Sequence, residues 1–271
     1  MNKVKIHTVK EVLSEIDNAI KYKKPFSLIR WGDGGLKFLH SIITNNQTRL
    51  LSIITKEGIP VDKIYTVFYL WGKYAREANF IDTPAIYFTN TFWRRFKRQD
   101  IIPIIKDWKN IYDCSEFDNY NYCNPEVNFL MILKDLNKRN LMDTIRNKKI
   151  YCVTNYTKTK SDLEKVCNVK MIEVVGFHGN QYDNNYKDVT KLIKKDANKC
   201  DLWLIGAGEL GRIYSGLIKQ YGGRSLDMGS VFDFWAGSKL PKRLEEYIYK
   251  PSRHSIELRL TEKGKKYKKY I

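Results

Sequence analysis

CDLWLIGAGELGRIYSGLIKQYGGRSLDMGSVFDFWAG, residues 200–237, sets an apolar run before a glycine turn, an amphipathic stretch after it and a second short apolar run beyond. Leu202–Ile205 reads as a buried strand, residues after Gly211 as a helix, and GRSLDMG as the next strand. Gly206, Gly208 and Gly211 form G-x-G-x-x-G between strand and helix, and Asp227 lies 21 residues beyond Gly206. That spacing matches the dinucleotide fingerprint, in which glycines admit a diphosphate and the acid meets a ribose hydroxyl. As a dehydrogenase signature it is misplaced, because only 60 residues follow Gly211 and they read as loop, short helix and basic tail. A nucleotide-binding half of this type has to be completed from the N-terminal side. The turn can cradle phosphate without holding NAD.

Upstream, KKIYCVT (148–154) and VKMIEVVG (169–176) read as further short strands, with helical stretches between them from PEVNFLMILKDLNKRN (125–140) onward. This alternation predicts a parallel α/β sheet. In VKEVLSEIDNAIKYKK (9–24), Val12, Ile16 and Ile20 repeat at helical spacing, and Pro25 ends the helix before a strand at Ser27–Ile29. TRLLSIITKEG (48–58) followed by VDKIYTVFYL (61–70) suggests a helix and then a strand ending near Leu70. The Trp-, Tyr-, Phe- and Arg-rich region from about 71 to 130 reads as helices and loops that cap the core. The expected architecture is a single α/β domain over 1–271: a Rossmann-like, mostly parallel sheet flanked by helices, with an aromatic-rich helical cap segment and a basic tail at 255–271.

Net charge is +18, from 48 Lys+Arg against 30 Asp+Glu, but the excess is mainly lysine and no helix-turn-helix, zinc-finger or RNP-type motif accompanies it. Nucleic acid is therefore not an expected partner. The tail LTEKGKKYKKYI (260–271) is either a solvated end or a peripheral contact to anionic lipid. No run approaches the roughly 18 apolar residues of a membrane span. MNKVKIHTVKEVLSEI lacks the apolar core and cleavage site of a signal peptide, so a cytoplasmic location is expected. Cys114, Cys123, Cys152, Cys167 and Cys200 are odd in number and contain no C-x-x-C pair, which argues against both a disulfide framework and a zinc site.

The second glycine turn is SLIRWGDGGLKFL (27–39), where a strand runs into Gly32, Gly34 and Gly35 and a helix follows. Asp33 near that helix N-terminus is open to two readings, a cap for free N–H groups or a ligand-binding carboxylate. Asp227 and Asp233 likewise serve as caps or meet a ligand at the carboxyl edge of the sheet, while Glu209 reads more simply as a cap. His178 in GFHGNQYDNNY is a structural loop histidine, an acid/base or a diphosphate donor. Trp93, Arg94 and Arg95 suit an acceptor groove, since sugars stack on aromatics and arginine binds phosphate bidentately, although core packing accounts equally well for Trp93.

The early I-R-W-G-D-G turn and the late I-G-A-G-x-L-G…L-D-M-G-S-V-F-D-F-W-A-G stretch together resemble the GT-D fold glycosyltransferases, in that family's order and at about its separation, over roughly residues 10–240. The resemblance implies transfer of a sugar from a nucleotide-sugar donor, a UDP-sugar, to a glycan, glycoprotein or lipid-linked acceptor. In such enzymes the early turn reads R-x-G-D-G-E, whose D-x-E carboxylates are associated with a divalent metal and the donor diphosphate. Arg30, Gly32, Asp33 and Gly34 match, but Gly35 stands in the place of the glutamate. Two carboxylates beside a diphosphate require a hard cation such as Mn²⁺ or Mg²⁺ between them. With Asp33 alone, three outcomes are open: a metal held mainly by diphosphate and water, a metal-free site neutralised by Arg30, Lys37 or the basic cap, or a dead site. The resemblance places the donor between the two turns, against Gly32, Gly34, Gly35, Gly206, Gly208, Gly211, Asp227, Ser230 and Asp233. Asp33 would contact the metal or donor, Arg30 would order the turn and neutralise phosphate, and Asp227 would hold a ribose or sugar hydroxyl. Trp93, Arg94 and His178 are the acceptor candidates. The alternatives are a sugar-nucleotide-binding pseudoenzyme and an NAD(P)-dependent oxidoreductase using the later turn.

Overall fold

The computed structural model describes residues 6–30, 58–82, 121–123, 127–132, 140–175 and 180–236. Its strands are β1 (Ile6–His7), β2 (Phe26–Ile29), β3 (Phe80–Asp82), β4 (Tyr122–Cys123), β5 (Lys149–Thr154), β6 (Asn168–Glu173), β7 (Leu202–Gly206) and β8 (Arg224–Asp227). They make one eight-stranded sheet in the order β1-β4-β3-β2-β8-β7-β5-β6. Every pairing is parallel. The four strands expected in the C-terminal half are all present, and the early strand of the Ser27–Ile29 region pairs with β8, Ser27 opposite Ser225 and Leu28 opposite Leu226. The sheet half that begins at the Gly206 turn is thus completed by the N-terminal chain.

The helices among the described residues are α1 (Val9–Lys21), α2 (Ile64–Glu77), α3 (Val127–Ile132), α4 (Leu141–Ile145), α5 (Lys160–Glu164), α6 (Lys187–Asp196), α7 (Leu210–Gln220) and α8 (Val231–Trp235). Thr8 caps α1: its Oγ1 accepts the Glu11 N–H at 3.2 Å, while the Glu11 carboxylate accepts the Thr8 N–H at 2.7 Å. Alternate residues of each strand serve opposite faces. Phe26, Leu28, Leu202, Leu204 and Leu226 pack with α1, α3, α4 and α8, whereas Ile29, Trp203 and Ile205 pack with α2, α6 and α7. Burial on both faces explains why these strands read as continuous apolar runs.

Two expectations are corrected. VDKIYTVFYL is not a strand: Val61–Lys63 is a 3₁₀ turn and Ile64 begins the fourteen-residue α2. Ile64, Val67, Trp71, Tyr74 and Ala75 recur at three- and four-residue spacing and are buried, while Tyr69 is 64% exposed. The region from 71 to 130 is not simply a cap, because β3 and β4 are internal strands of the sheet. Residues 83–120 lie outside the described residues, as does the helix expected to run to about Asn45. No helix among the described residues is long and apolar enough to cross a membrane.

β5 continues to β6 on one side, and β7 continues to β8 on the other. Adjacent strands that send their connections in opposite directions open a crevice at their carboxyl ends, where open α/β sheets bind ligands. Thr154 and Gly206 are paired at that point.

Candidate functional site

The turn leaving β7 is shaped by three different constraints on its glycines. A Cβ at Gly206 would lie 2.4 Å from the ring of Phe232. Gly208 has φ of +51°, in the left-handed region that side chains disfavour. A Cβ at Gly211 would meet Ile205 at 3.3 Å and the Asp227 carboxylate at 3.4 Å, so the third glycine lets α7 settle on β7 and β8. Glu209 makes no side-chain cap to α7. It forms an ion pair with Arg212 instead, and its carbonyl accepts Trp71 Nε1–H at 3.1 Å.

Arg30 follows β2 directly, beside the end of β8. Its N–H donates to Asp227 Oδ2 at 3.4 Å and its carbonyl accepts Arg212 Nε–H at 2.7 Å. The Arg30 guanidinium lies 3.9 Å from the buried carboxylate of Asp82, at the end of β3. It also covers Gly229, where a Cβ would fall 2.2 Å from Nη1. Arg212 is 5% exposed, with its guanidinium stacked 4.5 Å from the ring centroid of Trp71.

Asp227 is 3% exposed, and burial pushes its carboxyl up to about 6, against the pull of Arg212, Arg30 and the amides of Arg30 and Gly229. Its carbonyl accepts Asn128 Nδ2–H at 2.6 Å. The carboxylate expected to meet a ribose hydroxyl thus makes internal contacts, to the start of the early turn. Ser230 stands before α8 without a side-chain cap, and half-buried Asp233 in the first turn of α8 bonds to the phenol of Tyr156, raising that phenol above its ordinary range.

The structure therefore brings Arg30, Gly206, Gly208, Gly211, Asp227, Ser230 and Asp233 to one edge of the sheet, at the ends of β2, β7 and β8. Gly32, Asp33, Gly34, Gly35, Lys37, Trp93, Arg94, Arg95 and His178 lie outside the described residues. Among the described residues no group of three His, Cys, Asp or Glu could hold a metal ion. Asp82, Glu209 and Asp227 each face an arginine, so this part of the site is no oxygen cage for a divalent cation. Arg212, Asp82, Trp71 and Tyr156 were not singled out by the sequence reading. Only Arg212 carried a local signal, its i,i+3 relation to Glu209.

A family model described as a GT-D fold-like domain matches residues 7–235. A solved selenomethionine-substituted structure of domain of unknown function 1792 is similar with a TM-score of 0.54 and 16% identity, covering 88% of this chain and 84% of that one. A second, described as domain of unknown function 1792 with a distinct glycosyltransferase fold, is similar with a TM-score of 0.50 and 15% identity over the same shares. No curated protein matches the sequence. At these identities the structural likeness is one of fold. By the match across residues 7–235, the chain belongs to the GT-D fold-like domain family.

Proposed function

We propose that this protein is a glycosyltransferase that moves a sugar from a nucleotide-sugar donor, a UDP-sugar, to a glycan, glycoprotein or lipid-linked acceptor. The observation that supports the reading is the convergence of two strand exits: those of β2 and β7 flank β8, and Arg212 beside the Gly206–Gly211 turn holds the carbonyl of Arg30, where the chain leaves β2. The diphosphate would lie at the Gly206–Gly211 turn, where the positive end of an eleven-residue helix without a side-chain cap favours an anion. Asp33 would be the protein's ligand to Mn²⁺ or Mg²⁺, which supplies a counter-charge to the diphosphate when bound. Arg30 and Asp227 act here mainly by ordering the strand exit. Trp93, Arg94 and His178 are the proposed acceptor-side residues. A cytoplasmic location fits the free, buried thiols of Cys123, Cys152, Cys167 and Cys200. Nucleic acid is not a proposed partner, and the 255–271 tail is proposed only as a peripheral lipid contact.

A thermal-shift panel of UDP, GDP, NAD and NADP, each with and without Mn²⁺, tests the reading, because a ligand that binds the native state raises its apparent stability. UDP is expected to raise the melting temperature, more so with Mn²⁺. Stabilisation by NAD or NADP alone overturns the transferase reading. Stabilisation by UDP without donor hydrolysis or transfer would instead favour the pseudoenzyme that Gly35 suggests.

A further inference from the structure

At Arg30 the chain leaves the sheet ladder, and side chains distant in sequence take over both of its main-chain groups. The strand register ends with Ile29 opposite Ile81 and Leu28 opposite Leu226. Beyond it, Asp227 accepts the Arg30 N–H and Arg212 donates to the Arg30 carbonyl. Burying a guanidinium costs several kcal/mol unless its partners are well placed, and an apolar side chain would fill the same space without that cost. What only arginine supplies is a planar fork that aims Nε at one acceptor and Nη1 at another. Here Nε meets the Arg30 carbonyl, Nη1 meets Glu209, and the plane lies on Trp71. Trp71 also donates to the Glu209 carbonyl, so one side chain joins α2, the first turn of α7 and the exit of β2.

We infer that Arg212 is a positioning residue for the donor site: it holds the Arg30 carbonyl against the first turn of α7 and so fixes where the chain leaves β2 relative to the Gly206–Gly211 turn. The consequence for donor binding rests on the proposed function, whereas the consequence for Arg30 does not. Arg212→Lys keeps the charge and loses the fork. Amide hydrogen exchange across the folded protein and UDP affinity with Mn²⁺ by calorimetry would be measured on this variant well below its melting temperature. Loss of a charge-assisted hydrogen bond is expected to speed exchange at the Arg30 amide about tenfold and to weaken UDP by a similar factor, while β5 is unchanged. An arginine that only stabilises the core would lower the melting temperature and speed exchange evenly through α2 and α7 with UDP affinity intact. That pattern, or an unchanged Arg30 amide, overturns the inference. If the unaltered protein binds no UDP, the donor reading fails and the Arg30 amide alone decides the role of Arg212. Should Arg212→Lys not fold, Glu209→Gln removes the carboxylate that orients the fork and is judged by the same two measurements.

Discussion

The carboxyl of Asp227 loses its proton near pH 6 in the folded protein, against an ordinary value of 3.8, because it is buried more thoroughly than Arg212 and Arg30 compensate. A raised carboxyl pKa means that the native state binds the proton more tightly than the unfolded chain does. Above pH 6 the ionised group therefore lowers stability, by about 3 kcal/mol for a shift of about two units, and the loss is recovered as pH falls from 6 toward 4. Asp227→Asn keeps an acceptor for the Arg30 N–H but cannot ionise. Urea unfolding at pH 7, 6 and 5 is expected to show this gain on acidification in the unaltered protein and its absence in the variant; equal slopes would reject the buried, ionising Asp227. At the early turn the telling residue is Gly35. If Asp33 holds a hard cation, Gly35→Glu should tighten Mn²⁺ and Mn²⁺-dependent UDP binding by calorimetry, since an added carboxylate suits the cation. If Gly35→Glu weakens UDP at saturating Mn²⁺, the metal reading fails, and if Asp33→Asn changes neither affinity, Asp33 is a helix cap. Arg30 and Asp227 each stand out in the sequence as site candidates, but their partnership does not. The hydrogen bond between them spans 197 residues and leaves no local spacing to read.

Among the elements, those with enough residues to show a period were the legible ones. α1 shows it plainly, while β5 to β8 were legible as short runs bounded by turns rather than by alternation. β1, β3 and β4 have two or three residues each, too few for alternation to emerge. The reading of α2 failed for a related reason: a window closed at Leu70 omits Trp71, Tyr74 and Ala75, the second half of its buried stripe, and what remains is a β-branched and aromatic run. The glycine fingerprint was legible as a turn, while the structure adds that two of its glycines are also required by neighbours inside the protein. Gly206→Ala would drive a methyl group into Phe232 and is expected to cost about 1–3 kcal/mol in urea unfolding. Phe232→Leu in the same chain should recover part of that loss, and strict additivity of the two changes would show that the ring is not the obstacle. Gly208→Val is a poor probe of phosphate binding, since a β-branched residue at φ of +51° is strained with or without a ligand.

At the scale of the whole molecule, the two hydrophobic clusters enclose the sheet from either side and place Cys123, Cys152, Cys167 and Cys200 out of reach of solvent. Burial raises all four thiols, Cys167 to about 11 and Cys200 to about 12, and the thiolate is the reactive form. A thiol reagent at pH 8, read by peptide mass spectrometry, is expected to leave these four unmodified until the protein unfolds. Labelling of any of them faster than global unfolding would contradict the packing. The order of the sheet also bears on how the protein is made. β2 emerges early in synthesis, but its neighbour β8 and the carboxylate of Asp227 that receives the Arg30 amide come 197 residues later. At ribosomal rates of 5–20 residues per second that interval is about 10 to 40 s, during which a central strand, all four of whose residues are buried in the folded protein, has no partner on one side. Contacts of such long range fold slowly and leave strand edges open to other chains. The arrangement that sets the exits of β2 and β7 on either side of β8 thus makes that edge of the sheet one of the last features of the fold to form.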